Sequence, residues 1–190
     1  MKLILASGSP RRSELLREAG FDFEVKIPDD SAETAGELHL NATELVTYLA
    51  FKKAENIAHR TEQGLVLAAD TVAECNGMIL GKPRNREHAF QMLDQMRGQK
   101  HFVHTGICLW HRPSDRKSLQ AESTKLEMTA LTDSEITDYL DSELWRGKAG
   151  AFGYQDDLDW VKIVEGSASN VVGLPMELLA NMLQLDWAQR

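Results

Sequence analysis

A chain of 190 residues, 43% hydrophobic and 26% charged, carries enough apolar material for an ordinary globular core and is the size of one domain. Twenty-one Lys and Arg against 29 Asp and Glu give a net charge of -8, which repels polyanions over most of the surface and excludes a broad nucleic-acid groove. A small anionic ligand held by a few converging cations is still allowed. No apolar run reaches the roughly 18 residues of a membrane span, and Met1-Lys2-Leu3-Ile4-Leu5-Ala6 is too short for a signal peptide. Cys75 and Cys108 lie in apolar runs without metal spacing, so a soluble cytoplasmic protein with reduced core cysteines is expected.

Leu3-Ile4-Leu5-Ala6 reads as a short buried strand that ends at a Ser-Gly-Ser-Pro cluster. Ser9 is suited to an N-cap and Pro10 to the first helical position, where its missing N–H costs nothing. The helix runs to about Glu18, with Leu15, Leu16 and Ala19 inward and Gly20 as its stop. Phe21 to Ile27 alternates like a strand, residues 28–40 form a polar, acidic loop or lid, and Asn41-Ala42-Thr43-Glu44 resembles a capping box. Leu45, Val46, Leu49 and Ala50 give the next helix, to about His59, an apolar stripe. The run from Leu65 to Ala73 is the most strand-like in the chain and is expected at the centre of a sheet. Asn76-Gly77 signals a hairpin back through Met78 to Leu80. A helix over Arg86 to Met96, strands at His101–Trp110 and Leu119–Leu126, and a capped helix from Thr132 to about Asp141 follow. After a glycine-rich loop at 147–153, Trp160 to Val164 suggests a strand and Pro175 opens a last amphipathic helix. Early alternation of helix and strand combined with a hairpin implies an α/β fold with a mixed, twisted sheet flanked by helices. No internal repeat or linker divides the chain.

The chemistry concentrates at a few places. In Ser7-Gly8-Ser9-Pro10-Arg11-Arg12, glycine lets backbone approach an anion, N–H groups are exposed at the helix start, and two guanidinium forks match phosphate oxygens. A capped helix with two solvated arginines fits that turn equally well on its own. Asp70 interrupts an apolar strand, where a carboxylate must be paired, hydrogen-bonded or metal-bound. It can hold a divalent cation or take a proton from water, or simply cap a turn. Lys82, in Gly81-Lys82-Pro83, is returned by the hairpin toward the same end of the strand, and Lys53 can join it from the second helix; either can equally be solvated. Glu33 is an acidic loop residue open to a metal site. Gln155, after Gly147-Lys148-Ala149-Gly150-Ala151-Phe152-Gly153-Tyr154, offers an amide that can both donate to and accept from a base edge. Gly166 to Pro175 repeats the pattern of small polar residues before a proline and is a second helix start for the pocket. The six histidines make no metal spacing, and neither a P-loop nor a Gly-x-Ser-x-Gly nucleophile motif is present.

Taken in order, Leu5 to Arg12, Ala69-Asp70-Thr71-Val72, Gly81-Lys82-Pro83, the 147–155 loop and Asn170-Val171-Val172-Gly173-Leu174-Pro175 resemble the Maf family of nucleotide pyrophosphatases over nearly the whole chain. The resemblance implies a Maf/Ham1 (ITPase-like) fold and metal-dependent cleavage, with Mg²⁺ or Mn²⁺, of a nucleoside triphosphate to monophosphate and pyrophosphate. It assigns Asp70 as proton acceptor, Ser9, Arg12, Lys53 and Lys82 to phosphate or catalytic roles, and Glu33, beside Asp70, to the metal. Arg11, Thr71 and Gln155 match the branch specific for dTTP and UTP; the 7-methyl-GTP branch carries Trp, Gln and Glu there. Asp156-Asp157 departs from the Gly-rich residues usual after Gln155 and is expected to place negative charge beside the base pocket. A homodimer is the family expectation. The alternatives are a 7-methyl-GTP or broad house-cleaning pyrophosphatase, and a nucleotide-binding regulator of septum formation.

Overall fold

The computed structural model describes the backbone of all residues except 34, 35, 37, 157 and 188–190, and the side chains of these and of 33, 186 and 187 lie outside the description. The strands are β1 (Leu3–Leu5), β2 (Phe23–Val25), β3 (Gly64–Cys75), β4 (Met78–Leu80), β5 (Lys100–Arg112), β6 (Lys117–Met128) and β7 (Val161–Glu165). The helices are α1 (Pro10–Glu18), α2 (Ala42–Ala58), α3 (Arg86–Met96), α4 (Asp133–Asp141), α5 (Ala168–Val172) and α6 (Met176–Trp187). The sheet order is β2-β1-β3-β5-β6-β7, with β4 added to β3. β2 and β3 flank β1 in parallel, and every later pairing is antiparallel. This is the mixed α/β sheet that the early βαβ pattern and the Asn76-Gly77 turn imply. Asn76 and Gly77 both take positive φ (51° and 77°), as a tight two-residue hairpin needs.

Alternation along β3 divides the core. Val66 and Ala68 face α2 and pack with Ala50, Ala54, Ile57 and Cys108. On the opposite face, Leu65 and Leu67 meet Leu16 of α1 and Leu179 and Met182 of α6. Farther along the same face, Ala73, Val103 and Leu126 meet Met92, Leu93, Ile136 and Leu140 of α3 and α4. A cleft opens between these two clusters. On the other side α2 lies so close to β5 that a Cβ on Gly106 would stand 2.5 Å from the carbonyl carbon and oxygen of Val46. Both cysteines are buried thiols, and burial pushes Cys108 up to about 12. No helix among the described residues is long and apolar enough to cross a membrane.

Several local expectations change. Ala19 is the exposed C-cap of α1, and the buried face is Arg12, Ser13 and Leu16, so a guanidinium replaces an expected apolar contact. β2 is three residues long, shorter than the 21–27 run. The expected loop at 28–40 contains, among its described residues, a 3-10 turn, Asp30–Glu33. Ser167 caps the extra five-residue helix α5, which ends at Gly173 before α6 begins.

Candidate active site

The cleft exists because β3 loses its neighbour midway. β1 pairs with it only from Leu3↔Leu65 to Leu5↔Leu67, and β4 joins only from Ala73↔Leu80. Between them, Ala68 to Val72 has a strand on the β5 side alone among the described residues. Into this gap come the β1–α1 turn and the loop after β4, a change of partner at strand ends of the kind where open α/β sheets place ligands. The resulting cleft has a volume of about 530 Å³ and is lined by Ser7, Gly8, Ser9, Arg11, Arg12, Lys53, Asp70, Thr71, Lys82 and Gln155. Every candidate residue with a described side chain therefore meets in one place; that of Glu33 lies outside the description.

Ser9 holds the N-cap position of α1 with extended backbone but makes no side-chain cap bond. Its N–H instead donates to Ser7 Oγ at 3.2 Å. Arg12 is buried and donates from Nε to the Gly173 carbonyl (2.7 Å), from NH1 to Ser7 Oγ (3.1 Å) and from NH2 to Thr71 Oγ1 (3.0 Å). Its fork thus ties the turn, the centre of β3 and the end of α5 together, and a solvated arginine is ruled out. Gly173, at φ 121°, brings its carbonyl to that guanidinium in a conformation that side chains disfavour.

Lys53 Nζ meets Asp70 Oδ1 at 2.6 Å, with both side chains largely buried. Removing two charges from water offsets most of their attraction, so this pair fixes geometry more than it adds stability. Lys82 stands at the exposed mouth, where the preceding Gly81 carbonyl accepts from Gly150 N–H at 3.0 Å. Asp30, absent from the sequence-based candidates, lines the same mouth. Its loop had no pattern to single it out.

The far wall is the 147–156 segment. Arg11 NH2 donates to the Gly147 carbonyl at 3.2 Å, linking α1 to it. Lys148 is buried, and its Nζ lies 2.5 Å from both carboxylate oxygens of Asp156, to which Tyr139 also donates at 2.8 Å. Burial, and next the Asp156 carboxylate, push the Tyr139 hydroxyl above its ordinary range. The expectation of added negative charge beside the base pocket is corrected for Asp156, since Lys148 neutralises it; Asp157 lies outside the described residues.

The inner end is apolar, with Met96, Val103, Leu126, Phe152 and Val171, except for His101. His101 is 3% exposed and its Nδ1 has no hydrogen-bond partner. Burial lowers it from 6.5 to about 4, and burial lowers His104 as well. Because the unfolded chain binds the His101 proton first, stability is expected to fall as pH drops from about 6.5 to about 4, by on the order of 3 kcal/mol. Urea melts across that range, with His101→Gln flattening the slope, check this. His101 was recoverable only from strand register: it shares a sheet face with Val103 and Thr105, and Thr105 pairs with Thr71.

Among the described residues, no three acidic, His or Cys side chains cluster as a complete metal cage. Among the described residues, Asp30 and Asp70 are the carboxylates that line the cleft. One or two carboxylates completed by a ligand's own phosphate oxygens is how Mg²⁺-type ions are commonly held, so the donor set fits a hard divalent cation.

Comparison with known proteins gives the family. Residues 2–185 match the family model described as Maf-like protein. A dTTP/UTP pyrophosphatase of Rhodopirellula baltica is 53% identical over 183 residues, covering 96% of this chain and 81% of that one. Another of the same name, from Carboxydothermus hydrogenoformans, is 42% identical over 188 residues, covering 98% and 99%. Among solved structures, a HAM1 protein from Coxiella burnetii aligns with a TM-score of 0.46 at 19% identity, over 69% of this chain and 74% of that one. With a family model spanning nearly its full length and a site assembled from all the motifs that carry the resemblance, the chain belongs to the Maf family.

Proposed function

We propose that this chain is a nucleotide pyrophosphatase acting on dTTP and UTP, releasing the monophosphate and pyrophosphate. The observation that carries this reading is the polarity of the cleft. Lys53, Lys82 and the Ser7–Arg12 turn converge at the gap in β3, while the Gln155 amide lies on the opposite wall. The names of the relatives at 53% and 42% identity support the same substrates.

In this reading the backbone N–H groups at the start of α1 and the cations around them bind the triphosphate. Lys53 holds Asp70 by one oxygen, and the second accepts the proton of a water attacking the α-phosphorus. Lys82 and the turn stabilise the charge that passes to the departing pyrophosphate. Arg12, fixed by three protein acceptors, keeps the turn in place and adds positive potential beneath it. The Gln155 amide matches the imide edge of uracil or thymine, which presents one donor between two acceptors. A divalent cation held by Asp70, with Asp30 or Glu33, would neutralise the phosphate oxygens and polarise the phosphorus when bound.

The test is product analysis on a panel of triphosphates that includes UTP, dTTP, ATP and 7-methyl-GTP, with and without Mg²⁺ or Mn²⁺. UMP and pyrophosphate from UTP, in metal-dependent yield, are expected. Orthophosphate release would overturn the reaction class, preference for 7-methyl-GTP would overturn the substrate, and tight binding without products would identify a regulator.

A further inference from the structure

Gln155 is exposed, and the segment before it contains three glycines from 147 to 153, so nothing in its own side chain keeps its amide at a fixed place on the cleft wall. Its neighbour does the opposite. Asp156 is turned into the protein, with its side chain only 6% exposed, and both oxygens are taken by Lys148 Nζ. Tyr139, from α4, donates to Oδ2 at 2.8 Å. Gly153 lies against this group so tightly that a Cβ there would stand 2.7 Å from Asp156 Oδ2. Tyr139 is itself locked in place by Phe152 and Trp160, at ring-centroid distances of 6.0 and 5.3 Å.

We infer that Tyr139, Lys148 and Asp156 are positioning residues that set where Gln155 meets the base, and that Asp156 cancels the charge of Lys148 at this end of the cleft. The inference rests on the proposed pyrimidine nucleotide reading. Two consequences follow from one latch. The closed Lys148–Asp156 pair pins the backbone on either side of Gln155, since the two residues are anchored eight positions apart and Gln155 is the exposed residue between them. It also hides an ammonium at the base end. The Lys148 ammonium is thereby withheld from an anionic group at that end.

The test combines kinetics with a double-mutant cycle on the full chain, with UTP as substrate. Asp156→Asn is expected to raise KM for UTP by about 10-fold with kcat changed little, because an unpinned amide loses its hydrogen bonds to the base while the phosphate end is untouched. Tyr139→Phe, which keeps the ring and its packing, is expected to shift KM in the same direction by about 3-fold. In a Gln155→Ala background, Asp156→Asn should add no further increase in KM, since it acts only through the missing amide. A purely structural role would lower the melting temperature and leave KM of the folded enzyme unchanged, or would make the Asp156 and Gln155 effects multiply; either result overturns the inference. Should Asp156→Asn fail to fold, Tyr139→Phe decides by the same readout. Wild-type enzyme that turns over UTP, beside variants with unaltered KM, rejects the latch alone; wild-type enzyme inert toward UTP rejects the latch and the substrate reading together.

Discussion

Replacing Asp70 with Asn is expected to slow pyrophosphate release from UTP by about 10²- to 10⁴-fold, the range contributed by a positioned general base, with KM little changed. The amide has nearly the size of the carboxylate but cannot take the proton of the attacking water. One complication is intrinsic to the site: Lys53 is buried and meets Asp70 at 2.6 Å, so the substitution leaves its ammonium without that counter-charge. Breaking such a pair from one side costs about 3–5 kcal/mol, and the single variant will melt earlier than wild type. The double variant Lys53→Met/Asp70→Asn separates the two effects. Its methionine fills the buried space without a charge, so much of the lost stability should return, while turnover should stay low. Scanning calorimetry and pyrophosphate assays on the same preparations read both quantities. Near-normal kcat for Asp70→Asn would remove Asp70 from the chemistry.

Gly106→Ala should be the most damaging change of a single methyl group in the chain. The new carbon would stand 2.5 Å from the carbonyl carbon and oxygen of Val46 and 2.7 Å from Thr47 N. These are backbone atoms of α2, and they have no rotamer by which to withdraw. The helix must lift from the sheet, breaking contacts along Val46, Ala50, Ala54 and Ile57, all of them fully buried. Overpacking of this kind costs on the order of 3 kcal/mol, which for a chain of this length lowers Tm by about 6–12 °C. Activity should fall too, because α2 carries Lys53 and any lift draws it from Asp70. A thermal melt indistinguishable from wild type would contradict the close approach of α2 to β5.

The architecture was largely legible because each element carries its own signal. Asn76-Gly77 can hardly be other than a hairpin, and the capping boxes at Asn41 and Thr132 start helices where they are found. Asp70 stood out because a carboxylate in an apolar strand demands a partner. That the partner is Lys53, 17 residues away, depends on how α2 crosses the sheet, which local pattern does not encode. Arg12 could not be placed by local pattern for a related reason. An arginine in the first turn of a helix is ordinarily solvated, and its burial depends on three acceptors from three separate segments. Asp156 shows how charge alone deceives: the negative charge expected beside the base pocket is cancelled by Lys148. Asp30 reaches the cleft through tertiary placement that no periodicity announces, and His101 is legible only through the register of its strand.

The interruption in the pairing of β3 bears on how an open strand edge avoids taking up a stray strand. An unpaired edge in a central apolar strand is a template on which another chain can add a strand and begin to aggregate. Here the open stretch, Ala68 to Val72, is closed above by β1 and below by β4, leaving too short a run for a stable incoming strand. Lys82 and Arg12 border it with positive charge, which a small polyanion welcomes and an apolar peptide segment does not. The same break in the ladder that admits a ligand is thus fenced against strand addition by its length and by its charge.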